Sequence, residues 1–204
     1  MSATVSLPDT ELGQRVVRTV SRRLLPFMGL LFFVNYLDRT NIGFGKLTMS
    51  KDLGLTDTMF GLASGLFFVG YLCFEIPSNL ALHRFGARRW MARIMVTWGL
   101  VAAGMAFVPT AGWLYGLRVL LGVAEAGFFP GMLLYLTFWF PRKERVRLTA
   151  IFLLAVPVSS ALGAPLSAAV IQWGDGLFGL AGWRVMYLLE GLPAVLLGLM
   201  TWSI

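Results

Sequence analysis

Six apolar segments, near residues 24–45, 59–82, 90–109, 113–138, 148–172 and 183–203, are each long enough to cross a bilayer, and only short polar stretches separate them. A spanning helix needs about 20 mostly apolar residues, because in hydrocarbon every backbone N–H and C=O has to find its partner inside the segment. The chain has 204 residues. Six such helices therefore leave room for a tail and short loops, and none for a soluble domain. Charged residues make up 13% and hydrophobic ones 57%, against about 25% and 45–50% in soluble domains. The reading is an all-α membrane protein: a cytoplasmic tail over 1–23, then a six-helix bundle over 24–204 with antiparallel neighbours. The single cysteine, Cys73, lies in an apolar run and excludes an internal disulfide. No metal or redox framework is visible, so neither a metal nor a cofactor is expected.

A net charge of +7 would point a soluble protein toward nucleic acid; here its distribution points to membrane topology and away from nucleic acid. Arg15, Arg18, Arg22 and Arg23 fall in the tail, Arg84, Arg88, Arg89 and Arg93 around the second loop, and Arg142, Lys143, Arg145 and Arg147 in the fourth. The opposite side holds only Lys46, Lys51 and Arg184. Basic loops stay on the cytoplasmic side, which places the N-terminus there. Arg22-Arg23 before the run 24–34 resembles the start of a signal peptide, but Asn35-Tyr-Leu-Asp-Arg39 follows where a small-residue cleavage site would be needed. Residues 10–23 form either a short amphipathic helix on the inner membrane surface or a disordered tail.

Ionisable groups at membrane depth are costly unless paired or wetted, and mark functional sites. In the first segment Asn35, Asp38 and Asn41 recur at i, i+3 and i+6, a polar stripe that must face the bundle or a water-filled cavity, with Arg39 beside it. In the fourth, Arg118 and Glu125 stand two turns apart, about 10 Å along the axis, too far to pair with each other directly. The 1.5 Å rise puts Asp38 about 21 Å from the cytoplasmic edge, Arg118 about 7–8 Å from the outer edge and Glu125 about 18 Å from it, so the four converge. Arginine offers a planar, permanently charged fork for an anion's carboxylate. A carboxyl group in a low-dielectric cavity can take up and release a proton. The competing interpretation is that Asp38–Arg39 and Glu125–Arg118 are neutralising pairs that only fix helix packing. Glu75, beside Pro77, reads as a partner of the basic loop, Glu190 is open to either role, and His83 has a structural or gating place. Gly61 and Gly65, like Gly127 and Gly131, have the spacing for close helix contact. Pro130, Pro157 and Pro165 permit kinks.

Five stretches carry a family resemblance: Asn35-Tyr-Leu-Asp-Arg-Thr-Asn-Ile42; Phe74-Glu-Ile-Pro-Ser-Asn79; Arg118-Val-Leu-Leu-Gly-Val-Ala-Glu-Ala-Gly-Phe-Phe-Pro-Gly131; Phe138-Trp-Phe-Pro141; and Gly182-Trp-Arg184 with Glu190-Gly-Leu-Pro193. The chain resembles the N-terminal half of a major facilitator superfamily transporter, specifically the anion:cation symporter family of bacterial sugar-acid, tartrate, phthalate and 4-hydroxyphenylacetate permeases and animal vesicular glutamate transporters and sialin. The resemblance implies that Asp38 and Glu125 are proton-coupling sites, that Arg39 helps bind a substrate carboxylate and that Arg118 regulates Glu125. It also implies that His83-Arg84-Phe85-Gly86-Ala87-Arg88-Arg89 is the cytoplasmic gating motif. There the usual Asp is His83 and the leading Gly is Asn79.

The expectation is proton symport of a small organic anion across the bacterial inner membrane by alternating access. Asp38 and Glu125 carry the proton, Arg39, Arg118, Asn35 and Asn41 meet the substrate, and Arg84, Gly86, Arg88 and Arg89 form the gate. A non-transporting interaction or sensor protein built on a transporter half is the alternative. An intramembrane serine protease is excluded, since Leu62-Ala-Ser-Gly65 lacks the first glycine of its motif and the one histidine sits in a loop. A superfamily transporter has two six-helix halves with the substrate between them, so the chain is expected to be one half, with a C-terminal six-helix half as its missing partner.

Overall fold

In a computed structural model that describes residues 11–140 and 142–203, every regular element is helical. In chain order these are α1 (Glu11–Leu53), α2 (Asp57–Phe85), α3 (Ala87–Gly104), α4 (Ala111–Glu125), α5 (Phe128–Trp139), α6 (Arg142–Leu153), α7 (Ala155–Gly174) and α8 (Gly182–Ser203). Short 3-10 turns cover Met105–Phe107 and Leu177–Gly179. Five stretches are long and apolar enough to cross a membrane: Asp57–Phe85, Ala87–Phe107, Ala111–Phe138, Glu144–Gly174 and Gly182–Trp202. The remaining expected segment, 24–45, lies inside α1.

At 43 residues, α1 is about 65 Å long, roughly twice the thickness of the hydrocarbon, so both its ends project beyond it. Residues 11–23 are the first turns of this helix; residue 10 and those before it lie outside the described residues. The polar stretch expected to begin a loop at Lys46 stays helical to Leu53, and the chain turns at Gly54, whose φ is 64°.

The fourth expected segment is a broken helix. After Glu125 the chain leaves α geometry at Ala126, and Gly127 takes a left-handed φ of 82° before α5 begins. A β-carbon at Gly127 would collide with the Ser78 side chain. The break comes three residues before Pro130, which falls in the first turn of α5, where a missing N–H costs nothing. Pro157 likewise falls in the first turn of α7, just after the α6–α7 junction at Leu154.

Helix α3 packs chiefly on α8, α2 on α4, and α1 on α7 and α8. Backbone meets backbone at two crossings. A β-carbon on Gly122 would overlap the Phe67 carbonyl and one on Gly70 the Val119 carbonyl, which fixes the α2–α4 approach. Gly99 and Gly191 do the same for α3 and α8. Of the glycine pairs expected from spacing, Gly127 and Gly131 lie against Ser78, Leu82 and Met91. Gly61 and Gly65 do not make contact: they face open space, because they stand on the outward side of α2. The least buried spans are those of α2 and α6–α7, with 22% and 19% of their apolar windows buried against 39% or more in the others. At the end away from the basic loops, the Asp52 carboxylate accepts from Trp183 Nε1 and Arg184 Nη2, each at 3.1 Å, and Arg184 Nη1 donates to the Ala106 carbonyl at 2.9 Å.

Candidate functional site

The polar stripe of α1 faces inward as its spacing predicts: Asn35, Asp38 and Asn41 are buried at 3%, 0% and 0% exposure. Among the described residues, no ion pair involves Asp38. Its Oδ1 accepts from Asn41 Nδ2 at 2.9 Å, one turn along α1, and its Oδ2 accepts from Trp98 Nε1 of α3 at 2.7 Å. Both carboxyl oxygens are thus held by neutral donors.

Arg39, the next residue, leaves α1 in another direction and crosses to α4, where Nη2 meets Glu125 Oε2 at 2.9 Å. Its guanidinium lies over two rings of α2, 5.2 Å from the Phe67 centroid and 4.9 Å from that of Tyr71. Phe67 is shared: the Arg118 guanidinium approaches the same ring at 5.0 Å, and Arg118 Nε donates to the Ala63 carbonyl at 3.3 Å. One aromatic ring is thus shared by two guanidinium groups, which it attracts without neutralising. Neither neutralising pair weighed from the sequence is present. Two turns separate Glu125 from Arg118, and Arg39 reaches Glu125 first.

The Arg39–Glu125 pair sits where α4 breaks. Glu125 is the last residue of α4 and is fully buried, so its carboxylate lies at a helix C-terminus, where the macrodipole disfavours negative charge and a cationic partner compensates. Several buried polar atoms around it have no partner: Asn35 Nδ2, Arg39 Nε and Arg118 Nη1 among the donors, Glu125 Oε1, Asn41 Oδ1 and Glu190 Oε2 among the acceptors. Buried polar atoms are normally satisfied.

Glu190 of α8 belongs to the same interior. It is 7% exposed, and its Oε1 accepts from Ser167 of α7 at 2.6 Å. The salt bridge expected between Glu75 and the basic loop is absent among the described residues. Arg84 lies nine residues further along α2, about 13 Å away.

In the motif from His83 to Arg89, Gly86 has φ 85° and both ends α2 and begins α3. Arg88 and Arg89 are exposed. Arg84 lies over Phe85, Phe85 stacks on Trp90, and Arg93 lies 4.0 Å above the Trp90 ring. Trp90 Nε1 donates to Ser78 Oγ at 3.0 Å, the side chain that Gly127 leaves room for.

Sequence reasoning did not find Trp98, Phe67, Tyr71 or Ser167. The aromatic residues looked like ordinary membrane interior, since hydropathy does not reveal which ring lies opposite a charge. A serine among the apolar residues of α7, as Ser167 is, was the available signal.

The profile of the Major Facilitator Superfamily matches residues 28–204. The chain is 55% identical over 190 residues to a putative tartrate transporter of Agrobacterium vitis, covering 93% of this chain and 44% of that protein. It is 46% identical to the putative metabolite transport protein NicT of Pseudomonas putida, covering 100% of this chain and 47% of that protein. The chain therefore spans less than half the length of either relative. Among solved structures, a bacterial homologue of the human lysosomal transporter Spinster, inward-facing and unoccupied, superposes with a TM-score of 0.76 at 23% identity over 89% of this chain and 42% of that one.

Proposed function

Since the chain belongs to the Major Facilitator Superfamily, a family of membrane transporters and not of enzymes, we propose that it forms one wall of a proton-coupled symporter for a small organic anion. The Arg39–Glu125 contact carries this reading. Arg39 is the one cation of the cluster held by a carboxylate, its side chain is 28% exposed, and unpartnered donors on Asn35, Arg39 and Arg118 surround it. A substrate carboxylate that takes Arg39 Nη2 displaces Glu125, and a displaced, buried Glu125 is stable only with a proton. Anion and proton are thereby taken up together. Asp38, next to Arg39 in the chain and fixed by Trp98 and Asn41, supplies the second proton site, while Arg118, spaced from Arg39 by Phe67, meets the far end of the anion. The relatives named for tartrate and metabolite transport support a carboxylate cargo.

Alternating access requires a second wall. The sparsely buried faces of α2 and α6–α7 are where a C-terminal six-helix half would pack, and Arg84, Gly86, Arg88 and Arg89 would form the gate between the halves. The distribution of basic residues supports a cytoplasmic N-terminus in the bacterial inner membrane. Uptake of labelled organic acids into proteoliposomes by the complete transporter, with and without an imposed proton gradient, is the test. Gradient-driven uptake that is lost in Asp38→Asn and Glu125→Gln supports the reading. Unchanged uptake in both variants overturns it, as does tight anion binding without any uptake, which is the behaviour of a sensor.

A further inference from the structure

The broken end of α4 is shaped by a contact outside the Arg39–Glu125 pair. Between Glu125 and Phe128 the backbone leaves helical geometry, so the helix ladder stops there and packing has to decide where the end lies. What meets that end is Ser78 of α2. A glycine at 127 leaves room for the Ser78 side chain, and its φ of 82° is one that glycine adopts at no steric cost. Ser78 is 5% exposed, and its Oγ accepts from Trp90 Nε1 of α3 at 3.0 Å. One turn into α5, a β-carbon on Gly131 would press on Leu82 of α2 and on Met91 of α3, the neighbour of Trp90. The start of α5 therefore lies against both limbs of the α2–α3 hairpin. The indole is held in its turn. Phe85 stacks on it with ring centroids 5.5 Å apart and planes 16° from parallel, and the Arg93 guanidinium lies 4.0 Å from its centroid.

We propose that Trp90 is a positioning residue for Glu125. Its indole N–H fixes Ser78, Ser78 seated on Gly127 fixes where α4 ends, and that end presents the Glu125 carboxylate, two residues before Gly127, to Arg39. The run from His83 to Arg89, which joins α2 to α3 and carries Phe85, is thereby linked to the Arg39–Glu125 pair through neutral contacts. Coupling of this kind is reciprocal, so loss of the ion pair is felt at Trp90. Its bearing on transport rests on the role proposed above for Arg39 and Glu125.

The test is fluorine NMR of the complete transporter in lipid nanodiscs, with tryptophan replaced by fluorotryptophan. The signal of Trp90 is the one missing in Trp90→Phe. It is expected to shift in Ser78→Ala, which takes away the hydrogen-bond acceptor, and to shift also in Glu125→Gln, which leaves Ser78 and Trp90 in place and breaks the ion pair. Arg39→Gln breaks the same pair from α1, should displace the signal as well, and carries the test if Glu125→Gln does not fold. Trp173, exposed near the end of α7, should keep its signal in all three variants, which separates a transmitted displacement from a general loosening. A Trp90 signal unmoved in Ser78→Ala, or one that moves there and stays fixed in Glu125→Gln and Arg39→Gln, would overturn the proposal, because Trp90 would then be a local pin with no hold on Glu125. A joint shift of Trp90 and Trp173 would overturn it too. The readout involves no anion and no uptake. A Trp90 signal blind to the ion pair, with gradient-driven uptake intact, removes this proposal alone, whereas a responsive signal without uptake removes the transport reading alone.

Discussion

Glu125→Gln should tighten anion binding at neutral pH and weaken its pH dependence. In the structure Arg39 Nη2 and Glu125 Oε2 are 2.9 Å apart, so an incoming carboxylate competes with a group of its own kind for the same guanidinium. At a charge separation of about 4 Å and an effective dielectric of about 20, that attraction is roughly 4 kcal/mol. Glutamine keeps the hydrogen-bonding oxygen and loses the charge. Exchange of hydrogen bonds with water and with the substrate leaves a net gain of about 1–3 kcal/mol, which corresponds to about 5- to 150-fold in Kd. Calorimetric titration of the complete transporter with a dicarboxylate or sugar acid, at several pH values, measures both effects. If binding takes up a proton at Glu125 as proposed, the wild type should tighten as pH falls; the variant has nothing at that place to protonate and should show a shallower pH dependence. Equal affinity of the two proteins at neutral pH, or the same pH slope in both, would refute the competition between Glu125 and substrate for Arg39.

Three further outcomes follow from the packing. Gly122→Ala drives a methyl group into the Phe67 carbonyl and should force α2 from α4 at a cost of about 2–4 kcal/mol, seen as a lowered Tm in detergent, whereas Gly65→Ala, facing open space, should leave Tm unchanged. Trp98→Phe removes the donor to Asp38 Oδ2 and should cost about 1–3 kcal/mol at neutral pH; a Tm equal to that of the wild type would show that this hydrogen bond does not hold Asp38. Cysteines introduced at Lys51 and Arg88 should react with a membrane-impermeant maleimide from opposite faces of the membrane, with Arg88 on the cytoplasmic face, and labelling of both from one face would invert or void the topology.

Membrane crossings and inward faces were legible because both obey one-dimensional rules. Twenty apolar residues make a crossing, and residues three apart share a face, which sufficed to turn Asn35, Asp38 and Asn41 inward. Partners were not legible, because they depend on the rotation of one helix against another. Two turns of α4 excluded an Arg118–Glu125 contact, yet nothing in the sequence said that Arg39 would cross to Glu125 while Asp38, one residue earlier, turned to Trp98. The break after Glu125 was misplaced for a related reason. Proline is the louder signal, but in the first turn of a helix it fits without strain, and it was Gly127, pressed on Ser78, that marked the discontinuity. Gly61 and Gly65 show the reverse error: the spacing of small residues permits close contact without naming a helix to make it with.

The two acids first paired by sequence depth are held in different ways, and the difference bears on how coupling could work. Asp38 is enclosed, with both oxygens taken by neutral donors from α1 and α3, so a change of its charge acts on the packing of α1 against α3. Glu125 has one oxygen on Arg39 and one on nothing, at the end of a helix that has already lost its next hydrogen-bonded turn, so a change of its charge acts on the availability of Arg39. Asp38 and Arg39 are consecutive residues pointing to different helices. A movement of α1 that relieves one necessarily alters the other, and this rigid link through a single peptide unit provides a physical path by which a proton at the enclosed acid can be felt by an anion at the open one.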